Sequence, residues 1–426
     1  MYFAYSVLLG LCFFLVVPLY FFRLRVLKGE PLFLGERLGR GLPKRKTDGP
    51  LIWFHAVSVG EILSLQSFIP ELRKARPGCE IALSALTNTG YRMAAEKVRG
   101  ANFLFFIPFD FAFAVRKAFR RLRPSLLILA ESELWPRLLR EARRAGCPVL
   151  VINGRVSERS FRRMRRFGPF VRPVLRNVTR FLVQTPSDRI RLEKAGVPAK
   201  KITVAGNLKC ETRLPDVSTE EIRTMRSEIG LPPEARVLIA GSVHRGEEGP
   251  LIRAFREARK QRPEIRFILA PRHPDQFADI EKDFAQAGFA VRRRTDRGSS
   301  GPWDAFILDT IGELARFYAL ADAAFIGGSL IPRGGQNLLE PAFYGKPIFF
   351  GPNMKNFLSL AEAFVAGGGA RMVATLGELK NMFLFAPPVH SPGMGERARE
   401  ILRSLQGATA KTLDAIGEFL DRHAAR

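Results

Sequence analysis

Glu61 closes the run Leu51-Ile-Trp-Phe-His-Ala-Val-Ser-Val-Gly-Glu61, an apolar segment ending in a small-residue turn and an acid. The pattern predicts a buried strand that stops at residues 58–60 and passes into a helix. An acid there stands at the carboxyl end of a strand, the edge of an open α/β sheet where ligands bind. A carboxylate in a first helical turn is equally a dipole partner, contributing about 0.3–1 kcal/mol. Glu131, in Ala130-Glu-Ser-Glu-Leu-Trp-Pro136, follows another apolar run in the same way, and its plain reading is a buried capping or salt-bridge acid. Lys209, in Gly206-Asn-Leu-Lys209, is an ordinary surface lysine or a cation facing a leaving phosphate or a substrate carboxylate.

Four further loops follow apolar runs: Gly241-Ser-Val-His-Arg-Gly-Glu247, Pro271-Arg-His-Pro274, Asp309-Thr-Ile-Gly-Glu313 and Gly327-Gly-Ser-Leu-Ile-Pro-Arg-Gly-Gly-Gln-Asn-Leu-Leu-Glu-Pro341. In the last, Gly334 and Gly335 let backbone amides approach closely, and Gln336-Asn337 is expected to start a helix. A helix N-terminus behind a glycine-rich loop suits a phosphate. Glu340, one turn in, could accept hydrogen bonds from ribose hydroxyls. The spacing matches neither Walker A nor the dinucleotide fingerprint. With no Asp-x-Asp motif and no His/Asp cluster of metal spacing, a metal-dependent nucleotide-sugar site lacks support. No Gly-x-Ser-x-Gly elbow or cysteine nucleophile context occurs either.

The elements that must position these residues alternate. Strands are predicted at 51–57, 80–85, 103–107, 126–130, 149–152 and 180–184, with helical patterns such as 62–75 and 91–98 between them. After a turn-rich passage at 204–215 and a polar helix at 218–229, strands resume at 237–240, 266–270, 306–309, 323–326 and 347–350. Strand-then-helix alternation implies parallel sheets with helices on both faces. Two doubly wound units in series, joined near 209–232, predict a cleft between them. The four polar loops then fall at one sheet edge. At 426 residues, two domains are the default.

The net charge of +26 implies a polyanionic neighbour. Residues 1–22 carry no charge and as a helix span about 33 Å, enough for a hydrocarbon core. Arg23, Arg25 and Lys28 follow at once. An uncleaved anchor is therefore expected, with the remaining mass on the cytoplasmic side. Cationic stretches fall at 116–123, 137–144 and 155–180, all in the first unit. They lack the aromatic interleaving or the module that nucleic-acid binding would want. Anionic headgroups and a phosphorylated lipid account for the charge more simply, at about 1 kcal/mol per Lys or Arg near the surface. Cys12, Cys79, Cys147 and Cys210 are far apart and show no metal spacing, which fits a reducing cytoplasm.

Together these motifs resemble the 3-deoxy-D-manno-octulosonic acid (Kdo) transferases of lipopolysaccharide biosynthesis. The likeness is collinear and includes Gly35-Glu-Arg-Leu-Gly39, His55-Ala-Val-Ser-Val-Gly-Glu61, Pro108-Phe-Asp110, Glu131-Ser-Glu-Leu-Trp-Pro136 and Asn153-Gly-Arg-Val-Ser-Glu-Arg-Ser160. It continues through Gln184-Thr-Pro-Ser-Asp188, Gly206-Asn-Leu-Lys209, His244-Arg-Gly-Glu247, Pro271-Arg-His-Pro274 and Asn337-Leu-Leu-Glu-Pro341. Three departures stand out. Gln336 replaces a histidine common in the family, Glu211 an aspartate, and the proline that usually follows the Pro-Phe-Asp motif is missing.

The resemblance implies a GT-B fold: two doubly wound Rossmann-like domains facing a cleft, here behind an N-terminal transmembrane anchor helix. It implies a metal-independent inverting transferase that moves Kdo from CMP-Kdo to a phosphorylated lipid A precursor of the lipid IVA type, without a cofactor. The chain then divides into an anchor (1–22), a basic connector (23–50), an acceptor domain (51–208), a junction (209–231), a CMP-sugar-binding domain (232–400) and a C-terminal helix (401–426). By the same resemblance Glu61 is the general base, and Glu131 and Lys209 stabilise the transition state. Pro271, Arg272, Ile311, Gly312, Glu313, Asn337, Leu338, Leu339 and Glu340 hold the CMP half. The implied partners are CMP-Kdo, the lipid A precursor and anionic lipids of the inner membrane, and no nucleic acid. Two rivals stay open: a membrane-associated GT-B transferase using a UDP-sugar, and a non-catalytic basic module that binds anionic polymers.

Overall fold

The computed structural model describes residues 2–22, 33–45, 47, 49–131, 133–211, 214–296, 301–385 and 391–424. Arg23, Arg25, Lys28 and much of the expected connector lie outside the described residues. The chain forms two compact units, residues 1–211 with 405–426, and residues 212–404.

The first unit is built on a parallel sheet of seven strands: β1 (Leu51–Ala56), β2 (Glu80–Ala85), β3 (Phe103–Phe106), β4 (Leu126–Ala130), β5 (Val149–Gly154), β6 (Arg180–Val183) and β7 (Ile202–Val204). Their order is β3-β2-β1-β4-β5-β6-β7. Every residue of β1, β2 and β4 is buried, because helices cover both faces of a parallel sheet. The near-continuous apolar runs in the sequence have this origin. The order reverses between β1 and β4, whose register places Ile52 opposite Leu126. Such a switch point leaves a crevice outside the carboxyl ends of the two strands.

The second unit repeats the plan with β8 (Arg236–Val243), β9 (Ile265–Pro271), β10 (Val291–Arg293), β11 (Ala305–Ile307), β12 (Ala323–Ile326), β13 (Ile348–Phe350) and β14 (Ala370–Met372). The order is β10-β11-β9-β8-β12-β13-β14, all pairs parallel, with the switch between β8 and β12. The four polar loops leave β8, β9, β11 and β12, so they share the carboxyl edge of one sheet, as expected.

Two expectations are corrected. Among the described residues no helix is long and apolar enough to cross a membrane, so the transmembrane anchor over 1–22 is not supported. The helix Tyr2–Phe22 instead lies along the first unit. Tyr5 donates to Asp110 Oδ2 at 2.8 Å, Asn177 donates to the Tyr2 hydroxyl at 2.8 Å, and Arg137 donates to Ser6 Oγ at 2.9 Å. Phe13 packs edge-on against Phe109 and Phe111. Hydrocarbon would leave those polar atoms on Tyr2, Tyr5 and Ser6 unpaired, whereas the domain satisfies them. The second correction concerns the C-terminus. The helix Ala408–Ala424 is part of the first unit, where Ala408, Ala415, Ile416 and Leu420 join the core beneath β1 and β2.

Candidate functional site

The switch point of the first sheet gathers all three residues expected to be catalytic. Glu61 follows β1 and Glu131 follows β4, while Lys209 follows β7 in a short 3-10 turn, Leu208–Cys210. Lys209 Nζ stands 3.1 Å from Glu131 Oε1. It also overhangs the turn before Glu61, since a methyl group added to Gly60 would lie 3.6 Å from Nζ.

Glu61 sits in the first turn of the helix Val59–Ala75, where Ser58 is the N-cap. Ser58 Oγ accepts from the Glu61 amide at 3.2 Å and donates to Glu61 Oε1 at 2.8 Å; the Val57 amide donates to Oε2 at 2.7 Å. The capping reading is therefore real: Ser58 caps the helix, and Glu61 reaches back to the Val57 amide ahead of it. Capping is only part of what the surroundings do to Glu61. The residue is 5% exposed. Burial, with the negative charges of Glu131 and Glu133, outweighs the two hydrogen bonds and pushes its carboxyl from 4.5 up to about 7. A carboxylate poised near neutrality, with the Lys209–Glu131 pair close by, can take a proton from a hydroxyl.

Several motif residues hold this crevice in shape, and sequence reasoning gave them no role. Asn153 has φ 53 and is 1% exposed. Its Oδ1 accepts from the Leu208 amide at 3.0 Å and its carbonyl accepts from Gln184 Nε2 at 3.0 Å. Gln184 Oε1 accepts from Asn207 Nδ2 at 3.2 Å, and Asn207 Oδ1 accepts from the Lys209 amide at 3.0 Å. This buried chain sets the turn that carries Lys209. The visible signal was the Asn153-Gly154 dipeptide, a mark of left-handed backbone. Glu131 is left-handed too, at φ 57, while its amide donates to the Ile152 carbonyl at 2.9 Å. Asp110 accepts from the amides of Arg137 and Leu138 at 2.9 and 2.7 Å, so the Pro-Phe-Asp motif caps the helix that follows Trp135. His55 is fully buried, and burial lowers its ring to about 4. Ser84 Oγ accepts from Trp53 Nε1 and donates to the Phe54 carbonyl, so His55 Nδ1, 3.1 Å away, is the donor to it. The ring then rests edge-on against Trp135.

In the second unit the expected nucleotide residues occupy the shared sheet edge. Pro271 ends β9, with Arg272 next to it and exposed. Ile311 is 92% exposed and Gly312 has φ 93. Glu313 is bound by Arg294 at 3.2 Å and by Thr310. Asn337 Nδ2 donates to Glu340 Oε1 at 3.0 Å, and burial raises the Glu340 carboxyl. Two details differ from expectation. The helix starts at Leu339 rather than at Gln336-Asn337, because Asn337 Oδ1 takes the Leu339 amide and caps it from outside. Leu338 and Leu339 are core residues, 0% and 2% exposed, so only their backbone can meet a ligand. Gln336, at the departure from the family pattern, contacts His244 Nε2 at 3.0 Å. The amides of Gly328, Ser329 and Leu330 look like an anion nest, but Glu247 already occupies it, at 2.6, 2.9 and 2.8 Å. Gly327 permits this closeness, since a Cβ there would collide with the Ser242 carbonyl.

Similarity to known proteins bears on the fold and the family. The family model for 3-Deoxy-D-manno-octulosonic-acid transferase (kdotransferase) matches residues 33–212. The chain is 33% identical over 405 residues to a 3-deoxy-D-manno-octulosonic acid transferase of Bordetella pertussis, covering 91% of this chain and 92% of that protein. It is 29% identical to the enzyme of that name from Chlamydia pneumoniae, covering 85% and 83%. Among solved structures it is similar to the UDP-GlcNAc 2-epimerase of Neisseria meningitidis (TM-score 0.54, 12% identity, 87% of this chain and 100% of that one). It is also similar to the glycotransferase of kitacinnamycin (TM-score 0.52, 18% identity, 88% and 100%). At such identities these two show the fold alone, two parallel-sheet α/β units of the GT-B kind. The identity to the Bordetella pertussis enzyme along nearly the whole chain places it in a glycosyltransferase family: it belongs to the 3-deoxy-D-manno-octulosonic acid transferases.

Proposed function

We propose that the chain transfers Kdo from CMP-Kdo to a hydroxyl of a phosphorylated lipid A precursor, with inversion and without a metal, and that Glu61 is the base. The observation that carries this is Glu61 itself: a buried carboxyl held near neutrality beside the Lys209–Glu131 pair. Glu61 takes the acceptor hydroxyl's proton. The freed oxygen bonds to the anomeric carbon of Kdo from the face opposite CMP, and the bond from that carbon to the phosphate oxygen breaks. CMP leaves with the electron pair and added negative charge. A positioned base commonly supplies about 10²–10⁴-fold.

Lys209 meets negative charge at the reacting centre, either the Kdo carboxylate or the leaving phosphate. Glu131 fixes the ammonium and helps keep Glu61 protonatable. In the second unit Arg272 and the Gly334–Asn337 turn supply fixed donors for the nucleotide, and such preorganised donors cost no reorganisation as charge develops. Glu313, Glu340 and the backbone at Ile311, Gly312, Leu338 and Leu339 complete that half. An anionic lipid surface on the cytoplasmic side suits the first unit. Leu8, Leu11, Phe14 and Leu15 of the N-terminal helix are 57–78% exposed, and Tyr2 of the same helix lines a recess with Arg140, Arg143, Arg144 and Arg176.

The test is a product assay with CMP-Kdo and a tetraacylated, bis-phosphorylated lipid A precursor, comparing wild type with Glu61→Gln. Kdo-lipid from the wild type, nearly abolished in the variant while CMP still binds, is the expected result. Product mass counts the transfers. No product from the wild type in detergent, with turnover of a UDP-sugar instead, would overturn the donor assignment.

A further inference from the structure

A recess of about 780 Å³ opens in the first unit against the loop that carries Glu131. Leu9 and Phe13 of the N-terminal helix form one wall, Trp135 another, and Met164, Phe170 and Val171 a third. Phe167 and Phe170 on its rim are 51% and 57% exposed, so the unit itself leaves much of this apolar surface uncovered. The volume and the mainly apolar lining are those of a small-molecule site.

Two charged residues on the lining say what kind of molecule would fit. Glu133 is near enough to Glu61 to act on its charge, so one part of the recess lies close to the reacting hydroxyl. Arg163 lines the recess and also a separate basic hollow of about 550 Å³ formed with Arg159, Arg162 and Arg166. Glu158 is the one acid lining that hollow, and it is spread between Arg162 and Arg191 at 3.5 Å each. An apolar chamber joined to a guanidinium cluster matches a ligand that is both acylated and phosphorylated. A soluble sugar would leave the chamber unmet, and a plain hydrocarbon would leave the arginines unmet.

We propose that the recess holds one acyl chain of the acceptor and that the Arg159–Arg166 hollow takes a phosphate of the same molecule, so that the chain sets which hydroxyl reaches Glu61. This rests on the proposed transfer to a lipid acceptor. Val171 and Met164 are then specificity residues, and the acyl chain is part of what the enzyme reads.

The test uses the full chain in one fixed detergent, saturating CMP-Kdo, and acceptors that differ only in acyl length. The acceptor KM is expected to fall about four-fold per added methylene until the recess is full, which is 0.8 kcal/mol per CH₂ converted. In Val171→Trp that dependence flattens to under about two-fold per methylene, with KM for CMP-Kdo unmoved. Leu9→Trp fills the recess from the opposite wall, on a helix outside the sheet core, and gives the same flattening if Val171→Trp fails to fold. An acceptor with a diazirine at its chain end should label residues 160–175.

Transfer that ignores chain length in the wild type, or an unchanged dependence in the folded variants, overturns the recess and leaves the transferase reading standing. Labelling displaced by excess phosphatidylglycerol assigns the recess to bulk lipid and overturns it too. No Kdo transfer to any acceptor sinks both.

Discussion

Glu61 and Glu247 occupy corresponding places and have opposite fates. Each follows the first strand of its unit's sheet, β1 or β8, at the start of the next helix and beside the switch point. Glu61 receives two hydrogen bonds and its carboxyl rises to about 7. Glu247 receives four, from the amides of His244, Gly328, Ser329 and Leu330, and is completely buried. At Glu61, burial with few donors favours the neutral form. Glu247, with its four amide donors, staples two loops together, while Glu61 keeps a carboxyl with few partners. In the first unit the switch point stays open for chemistry. In the second the Glu247 carboxyl closes part of it, leaving Arg272 and the turn at residues 334–337 for the nucleotide proposed there.

The largest effect should come from breaking the contrast at its reactive end. Glu61→Gln is isosteric, so the fold should persist while kcat falls by about 10²–10⁴. Stability offers an independent readout. The folded value of Glu61 lies above the ordinary 4.5, so its stabilising contribution is complete below pH 4.5 and is lost as pH rises through about 7. The glutamine variant should therefore melt higher than the wild type above pH 7 and alike at pH 4. For the wild type, kcat/KM should rise with pH and level off above an inflection near 7. A flat profile, or a variant that melts lower at pH 8, would deny Glu61 its perturbed state.

At the structural end, Glu247→Ala strands four amides, two of them in fully buried bonds, at about 1–3 kcal/mol each. Thermal melting should drop strongly, with CMP binding lost along with the second unit's loops. Unchanged melting would mean that water replaces the carboxylate in the nest and that the nest is a usable anion site after all. Lys209→Met ranks next. Removing one fixed donor from a reacting centre typically costs about 10²–10³ in kcat. The variant also releases Glu131, which then acts on Glu61 unscreened, so the inflection of the pH profile should move upward. A loss of kcat without that upward movement would place Lys209 on the substrate alone.

Much of this contrast was legible in the sequence, and unevenly so. The central strands β1, β2 and β4 were plain because burial on both faces leaves them uniformly apolar. The short strands β7, β10 and β14 were missed: Val291-Arg-Arg293 and Ala370-Arg-Met372 carry arginines that no apolar pattern admits. The N-terminal helix looked like an anchor because Tyr2, Tyr5 and Ser6 count as mildly polar until their partners on the domain are known. Glu61, Glu131 and Lys209 lie near one another through three strand ends far apart in the chain. The role of Glu247 was invisible, since nothing local marks an acid three of whose four donors lie more than eighty residues later. Motif membership alone could not separate residues that face the substrate from residues such as Asp110, Asp188 and Asn153, which hold backbone in place.

Asn153 provides the smallest and sharpest test of that separation. Its side chain hydrogen-bonds neither Glu61 nor Glu131; it acts through the Leu208 amide on the turn bearing Lys209. Asn153→Gly suits φ 53 without strain, which offsets part of the lost hydrogen bond. Stability should change by less than about 1 kcal/mol. If the turn is what aims Lys209, kcat should nevertheless fall about ten-fold, roughly the worth of one hydrogen bond, with KM for the donor unmoved. Asn153→Asp keeps the Oδ1 acceptor and should recover part of that rate. Equal losses in both variants, or a fall only in stability, would make Asn153 a packing residue and leave Lys209 aimed by Asn207 alone.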